Sequence, residues 1–327
     1  MTKKTIKNIG VFTSGGDSPG MNAAIRAVVR TALFYDIKVT GILRGYDGMI
    51  GGDFLAMERK SVANIIQRGG TVLKTARSDE FRTKGGRKKA YDQLKSKDID
   101  ALVAIGGDGT FTGAKIFSEE YEIPVIGLPG TIDNDLIGTD FTIGYDTAIN
   151  TVIDAVDKIR DTAESHDRLF IVEVMGRDSG LIALRSGIGT GAEAILIPET
   201  KTDIKALLAR LEVSRKDKSS KIIIVAEGDD AGGAFEIAKN VKERFPLIDT
   251  RVSVLGHIQR GGAPTCMDRV LASRLGVASV ESLMEGRTGE MIGIVHGKIH
   301  FTPFGQAIKH NVDVNKELLK IVEILSL

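Results

Sequence analysis

Apolar residues along this chain follow two rhythms. Apolar stretches at 6–13, 38–43, 100–105, 123–128, 169–175, 194–197, 222–226 and 291–295 read as strands, that at 100–105 continuous enough to be buried on both faces, and 252–259 leads into Arg260-Gly261-Gly262. Between them, apolar positions recur at helical spacing. Met21, Ala24, Ile25, Val28, Val29, Ala32 and Leu33 mark the first helix. Others are predicted over 61–67, 87–97, 112–120, 147–163, 202–215, 236–245, 268–283 and 314–325, with glycine-rich loops at 45–52 and 187–193. Alternating strands and helices with short connections predict parallel sheets covered by helices, with ligands at the carboxyl ends of the strands. The expected fold is α/β: two doubly wound, three-layer lobes with the active site in a cleft between them.

Composition narrows the picture. A chain of 327 residues suits two domains. Hydrophobic content of 42% and charge of 27% favour neither disorder nor membrane insertion, and a net charge of +1 gives no reason to expect nucleic acid or a membrane as partner. The polar lead 1–8 lacks the apolar core of a signal peptide. One cysteine, Cys266, excludes an internal disulfide and fits a cytoplasmic location.

The strand ends carry the candidate chemistry. Thr13-Ser14-Gly15-Gly16-Asp17-Ser18-Pro19-Gly20 joins a strand to a helix start, where free N–H groups and the helix dipole favour phosphate. Gly106-Gly107-Asp108-Gly109-Thr110 ends a second strand. Pro129-Gly130-Thr131-Ile132-Asp133-Asn134-Asp135 ends a third, and in extended backbone Asp133 and Asp135 would face one reacting centre. Arg177, Glu227, His257 and Arg260 stand at further strand ends. Carboxylates with arginines suit a phosphorylated substrate, because arginine forks onto phosphate and carboxylates hold magnesium or accept a proton. His296 and His300 lie four apart, but Gly297 and a β-like context argue against a zinc site. Hydride transfer would want a GxGxxG turn after the first strand, which is absent.

Five ordered motifs carry a resemblance: those three, Met175-Gly176-Arg177, and Gly256-His257-Ile258-Gln259-Arg260-Gly261-Gly262. From about residue 5 to about residue 310 the chain resembles the short bacterial ATP-dependent 6-phosphofructokinases. The resemblance implies magnesium-dependent phosphorylation of fructose 6-phosphate by ATP. Asp133 would take the proton of the 1-hydroxyl, Asp108 would be the magnesium-associated carboxylate, and Asp135 would lie near the metal. Thr131 and Arg177 would surround the transferred group. Gly16, Arg77, Ser78, Gly107, Asp108, Gly109 and Thr110 would contact ATP. Sugar-phosphate positions would be Thr131, Ile132, Asp133, Met175, Gly176, Arg177, Glu227, His257, Ile258, Gln259 and Arg260. Arg168 and Arg251 would reach the 6-phosphate of a neighbouring subunit in a homotetramer. The implied lobes are 1–143 with about 258–308, for ATP, and 144–257 with about 309–327, for the sugar phosphate.

Pyrophosphate-dependent relatives carry Asp where this chain has Gly109 and Lys where it has Gly130, so ATP is the expected donor. The pyrophosphate-dependent enzyme and a non-catalytic sugar-phosphate binder are the alternatives. Arg26, Arg30, Arg160, Gly191, Glu193, Lys216 and Lys218 match the family's effector site for ADP and phosphoenolpyruvate. Asp53 stands where some relatives have an effector-binding Arg, and the lysine-rich turn lacks a histidine often found near it. An added carboxylate disfavours an anionic effector, so weakened or altered allostery is expected.

Overall fold

The structure, a computed structural model, describes residues 6–214, 221–309 and 315–325. The described chain forms two compact units, Met1–Ile132 with Leu136–Thr147 and Arg260–Asn311, and Asp133–Asp135 with Ala148–Gln259 and Val312–Leu327.

In chain order the first unit contains β1 (Asn8–Thr13), α1 (Met21–Phe34), β2 (Lys38–Ile42), α2 (Gly45–Gly51), β3 (Phe54–Met57), α3 (Lys84–Ser96), β4 (Ala101–Gly106), α4 (Asp108–Tyr121) and β5 (Val125–Pro129). The long helix α5 (Tyr145–Glu164) carries the chain into the second unit. That unit holds β6 (Leu169–Val174), α6 (Leu181–Thr190), β7 (Ala194–Leu196), α7 (Ile204–Ser214), β8 (Lys221–Ala226), α8 (Gly233–Arg244) and β9 (Thr250–Val254). The chain then returns to the first unit through α9 (Cys266–Met284), β10 (Glu290–Val295), β11 (Lys298–Pro303) and α10 (Phe304–Ala307), and α11 (Lys316–Leu325) belongs to the second.

The first sheet has the order β11-β10-β5-β4-β1-β2-β3. Its inner pairs are parallel, and the edge pairs β2/β3 and β10/β11 are antiparallel. Strand alternation divides its core between the two faces. Ile9, Val11, Val103 and Ile105 join one apolar cluster, while Phe12, Leu102 and Ala104 join the other. Burying each such aliphatic side chain contributes roughly 1.5–3 kcal/mol. Helices α1 and α9 pack so closely that a Cβ on Gly276 would lie 2.5 Å from Cβ of Ala27. The second sheet, β7-β8-β6-β9, is parallel throughout. Both sheets are flanked by helices, as the α/β pattern predicts.

Several local expectations are corrected. Residues 45–52 are helical through Gly51 rather than a loop, because Tyr46 and Met49, one turn apart, are both buried. Likewise 187–193 is mostly the end of α6, where Gly187 serves close packing: a Cβ there would collide with the side chain of Ile195. The helix expected at 61–67 reduces to a short 3-10 turn, Arg59–Val62, and Asn64 in left-handed backbone (φ 55°) prevents its continuation. Edge strands β3 and β11 escape the apolar pattern because β3 is only four residues long and both are half exposed.

Candidate active site

The first unit gathers three glycine-bearing strand ends. Strand β1 lies between β4 and β2, so the ends of β1 and β4 form the topological switch point of the sheet, where such folds bind ligands. Backbone and side-chain bonds join the turns. Ser14 N donates to Ile105 O at 3.0 Å, Thr110 Oγ1 to Ser14 O at 3.1 Å, and Gly130 N to Gly106 O at 3.0 Å. Thr142 Oγ1 donates to Thr131 O at 2.6 Å and holds the turn after β5. Gly106 has no room for a side chain, since a Cβ would strike Thr110 Oγ1 and Ser14 O.

Helix α4 begins at Asp108, four residues earlier than the apolar periodicity predicts. Asp108, Gly109 and Thr110 therefore form its first turn, whose N–H groups lack intrahelical acceptors and suit phosphate oxygens. The space beside Gly109 is open: a Cβ there would meet no atom within 4 Å, so the turn admits a ligand. Gly130 is different: a Cβ would lie 3.0 Å from both Ile105 Cγ2 and Met21 Cε. Any larger residue there must displace these buried neighbours.

Residues outside the expected set support this turn system. Tyr46 Oη donates to Thr110 O at 2.6 Å while its ring stacks on Phe81 at 3.9 Å, and burial pushes its phenol pKa up. Asn22 donates to Arg68 O and Gly69 O and accepts from Val72 N at 2.7 Å. Thr75 Oγ1 donates to Gly15 O at 2.8 Å. These bonds tie the stretch before Arg77 and Ser78 to the β1 turn. Arg77 itself is exposed, and Ser78 Oγ accepts from Phe81 N. Tyr46 lies in a stretch read as a loop, so no periodicity marked it. Asn22 follows the first glycine turn directly, and its amide was the available signal.

Arg260 is assigned to the sugar phosphate by resemblance, and Gly16 to ATP. The structure brings them together: Arg260 Nη1 donates to Asp17 O at 3.2 Å and would lie 2.6 Å from a Cβ on Gly16. Glycine at 16 thus leaves room for the guanidinium.

The second unit gathers its own strand ends. Gly176 (φ 147°) and Arg177 (φ 57°) form a tight turn after β6. Glu227, at the end of β8, accepts from Arg177 N at 2.7 Å and Gly176 N at 3.3 Å. From beyond β9, Gln259 Oε1 accepts from Met175 N at 3.3 Å. Within the 3-10 turn Gly256–Arg260, His257 and Ile258 are exposed and Gln259 is fully buried. Arg168 and Arg251 share one carboxylate, Asp249, through Nε contacts at 2.7 and 2.8 Å. These bonds, that of Arg168 first, hold the Asp249 carboxyl below the usual carboxylate range.

Asp133 and Asp135 are buried and belong to the second unit, whereas Thr131 and Ile132, also buried, belong to the first. The segment that carries Asp133 and Asp135 is not the extended strand expected. Strand β5 ends at Pro129, and Asn134 adopts left-handed backbone (φ 54°), so the two-residue alternation does not apply. Among the described residues no three His, Cys, Asp or Glu side chains form a metal-holding group. Magnesium is typically held through one or two carboxylates plus substrate phosphates, and a single carboxylate in the first turn of α4 fits that mode.

The expected effector positions are shared between the two units. Arg26 and Arg30 lie on α1, where burial and then the charge of Arg30 push the Arg26 pKa down. Arg160 donates to Thr190 O beside Gly191. Glu193 is buried, with Oε2 accepting from Ile222 N at 2.6 Å. Asp53 is ion-paired with Arg44. Lys216 and Lys218 lie outside the described residues.

Residues 8–283 match the family described as Phosphofructokinase. The chain is 56% identical over 322 residues to the ATP-dependent 6-phosphofructokinase of Cytophaga hutchinsonii, covering 98% of each chain. It is 55% identical to ATP-dependent 6-phosphofructokinase 1 of Thermus thermophilus, covering 98% of this chain and all of that one (100%). Among solved structures, the phosphofructokinase of Saccharomyces cerevisiae matches with a TM-score of 0.88 at 38% identity; the match covers 98% of this chain and 47% of that longer one. A pyrophosphate-dependent phosphofructokinase from Marinobacter aquaeolei shares the fold, with a TM-score of 0.85 at 21% identity; the match covers 98% of this chain and 91% of that one.

Proposed function

The chain belongs to the phosphofructokinase family, and on that premise we propose that it transfers the terminal phosphoryl group of ATP to the 1-hydroxyl of fructose 6-phosphate. The observation that carries the ATP reading is the open first turn of α4 at Gly109, in a chain alike over its full length to enzymes named for ATP. A carboxylate at that position would occupy the space and repel the nucleotide phosphates.

In this reading the first turn of α4, Ser14–Gly16 and Arg77–Ser78 hold the nucleotide. Asp108 would hold magnesium, which when bound neutralises charge on the phosphate oxygens. Asp133 accepts the hydroxyl proton as the phosphoryl group leaves ATP, and Arg177 and Thr131 stabilise the charge on that group. The turn of Met175–Arg177, with Glu227, His257 and Arg260, positions the sugar. Arg168 and Arg251, both partly exposed, present guanidinium edges to the 6-phosphate of a second copy, which makes the working enzyme an oligomer, a tetramer in the proposal. Residues 1–143 with about 258–308 act as the nucleotide lobe and the remainder as the sugar-phosphate lobe. No helix among the described residues is long and apolar enough to cross a membrane; a cytoplasmic setting matches a glycolytic step.

Asp53 engages Arg44 and places a carboxylate where an effector Arg is expected. ADP activation and phosphoenolpyruvate inhibition should therefore be weak. A coupled assay with ATP or pyrophosphate, with and without ADP and phosphoenolpyruvate, tests all of this. Turnover with pyrophosphate and none with ATP would overturn the donor assignment. Sigmoidal sugar-phosphate kinetics relieved by ADP would overturn the effector assignment.

A further inference from the structure

We infer that Gln259 is a positioning residue that latches the turn after β9 to the turn after β6, and that it does not touch the sugar phosphate. The inference rests on the reading of Met175–Arg177 as sugar-phosphate positions. Four observations carry it. Gln259 has 0% exposure, whereas its neighbours His257 and Ile258 in the same 3-10 turn are exposed. Its Oε1 accepts from Met175 N at 3.3 Å, and its Nε2 donates to Gly256 O at 3.1 Å. Gly256 adopts left-handed backbone (φ 51°), which glycine enters without steric cost and which turns the chain so that its carbonyl meets the Gln259 amide. Strand β6 lies between β8 and β9, so the turn after β6 has a neighbour on each side.

Gly176 and Arg177 are fixed from the β8 side by Glu227, and Met175 is fixed from the β9 side by Gln259. The two contacts divide the work. Glu227 sets the peptide that orients Arg177, and Gln259 sets the distance between Met175 and the segment that presents His257. A buried amide with both ends engaged acts through the backbone it holds. A misplacement of about 1 Å in such a frame is enough to cost a large factor in substrate use.

The test uses Gln259→Met, which keeps volume and removes both bonds, and Gln259→Glu, which keeps an acceptor for Met175 N and, as the protonated acid that full burial favours, a donor for Gly256 O. Amide hydrogen exchange of the ligand-free protein should quicken at Met175 by roughly five- to tenfold in Q259M and stay near native in Q259E, as expected for one lost hydrogen bond. KM for fructose 6-phosphate should rise about tenfold in Q259M, with KM for ATP within about twofold, and Q259E should restore most of the sugar affinity. Native exchange at Met175 in Q259M, or lost sugar affinity in a Q259E whose Met175 protection is native, overturns the inference. Because exchange is read without substrate, it stands apart from the kinase assignment, which the wild-type assay decides.

Discussion

Arg168 donates Nε–H to Oδ2 of Asp249 at 2.7 Å, and the other oxygen of the same carboxylate receives Arg251. One carboxylate thus holds two guanidiniums that sequence alone offered as separate anion ligands. Asp249 lies two residues before Arg251, and its carboxylate was not singled out because an isolated acidic residue near a strand start usually faces solvent.

Substituting either arginine should affect the sugar phosphate and spare the nucleotide. Arg168→Ala and Arg251→Ala are each expected to raise KM for fructose 6-phosphate by roughly 10- to 100-fold, the size of a lost charge-assisted contact, with KM for ATP little changed. Steady-state kinetics in both substrates decides this. The pH course follows from the lowered Asp249 pKa. Its contribution is present above the unfolded value of about 3.9 and is lost as pH falls through the lower folded value. Sugar-phosphate KM should therefore show no step from Asp249 between about pH 5 and pH 8.

Asp133→Ser removes the proposed proton acceptor. The expected loss in kcat is about 10²–10⁴-fold, with sugar-phosphate binding near native by equilibrium titration. Near-native turnover would assign the proton to another group.

Tyr46→Phe deletes the bond to the Thr110 carbonyl and keeps the ring stacked on Phe81. Stability should fall by about 1 kcal/mol in denaturant unfolding, and KM for ATP should rise more than KM for the sugar phosphate. Equal changes in both would mean that Tyr46 supports the core and not the nucleotide turn.

Asp268 is buried on α9 and caps the start of α5, accepting from Gly144 N and Thr147 N at 2.8 Å each. Asn in its place keeps one acceptor and turns an NH2 donor toward the other of these N–H groups. Asp268→Asn should cost about 1–3 kcal/mol, read from the denaturation midpoint. Burial pushes the Asp268 pKa up despite its hydrogen bonds. Its titration thus favours the folded state most below the unfolded value of about 3.9, and that contribution is lost as pH rises through the raised folded value. The wild-type advantage over D268N should shrink across that interval.

The alternation of apolar runs and helical periodicity by itself determined the α/β class, most parallel strands and the glycine-bearing turns. Buried parallel strands must be continuously apolar, and their ligand turns must be small. The strand-end positions of Asp108, Thr110, Arg177 and Glu227 were legible for the same local reason. What only tertiary structure decided depends on residues distant in sequence: the carboxylate shared by Arg168 and Arg251, the Tyr46 bond to Thr110, the packing of Arg260 on Gly16, and the burial of Gln259 within a motif whose neighbours are exposed. Local spacing also missed the left-handed Asn134 between Asp133 and Asp135, which interrupts the extended backbone assumed there. Periodicity reports which face of an element is buried; a hydrogen-bond partner tens of residues away is set by the packing of whole elements.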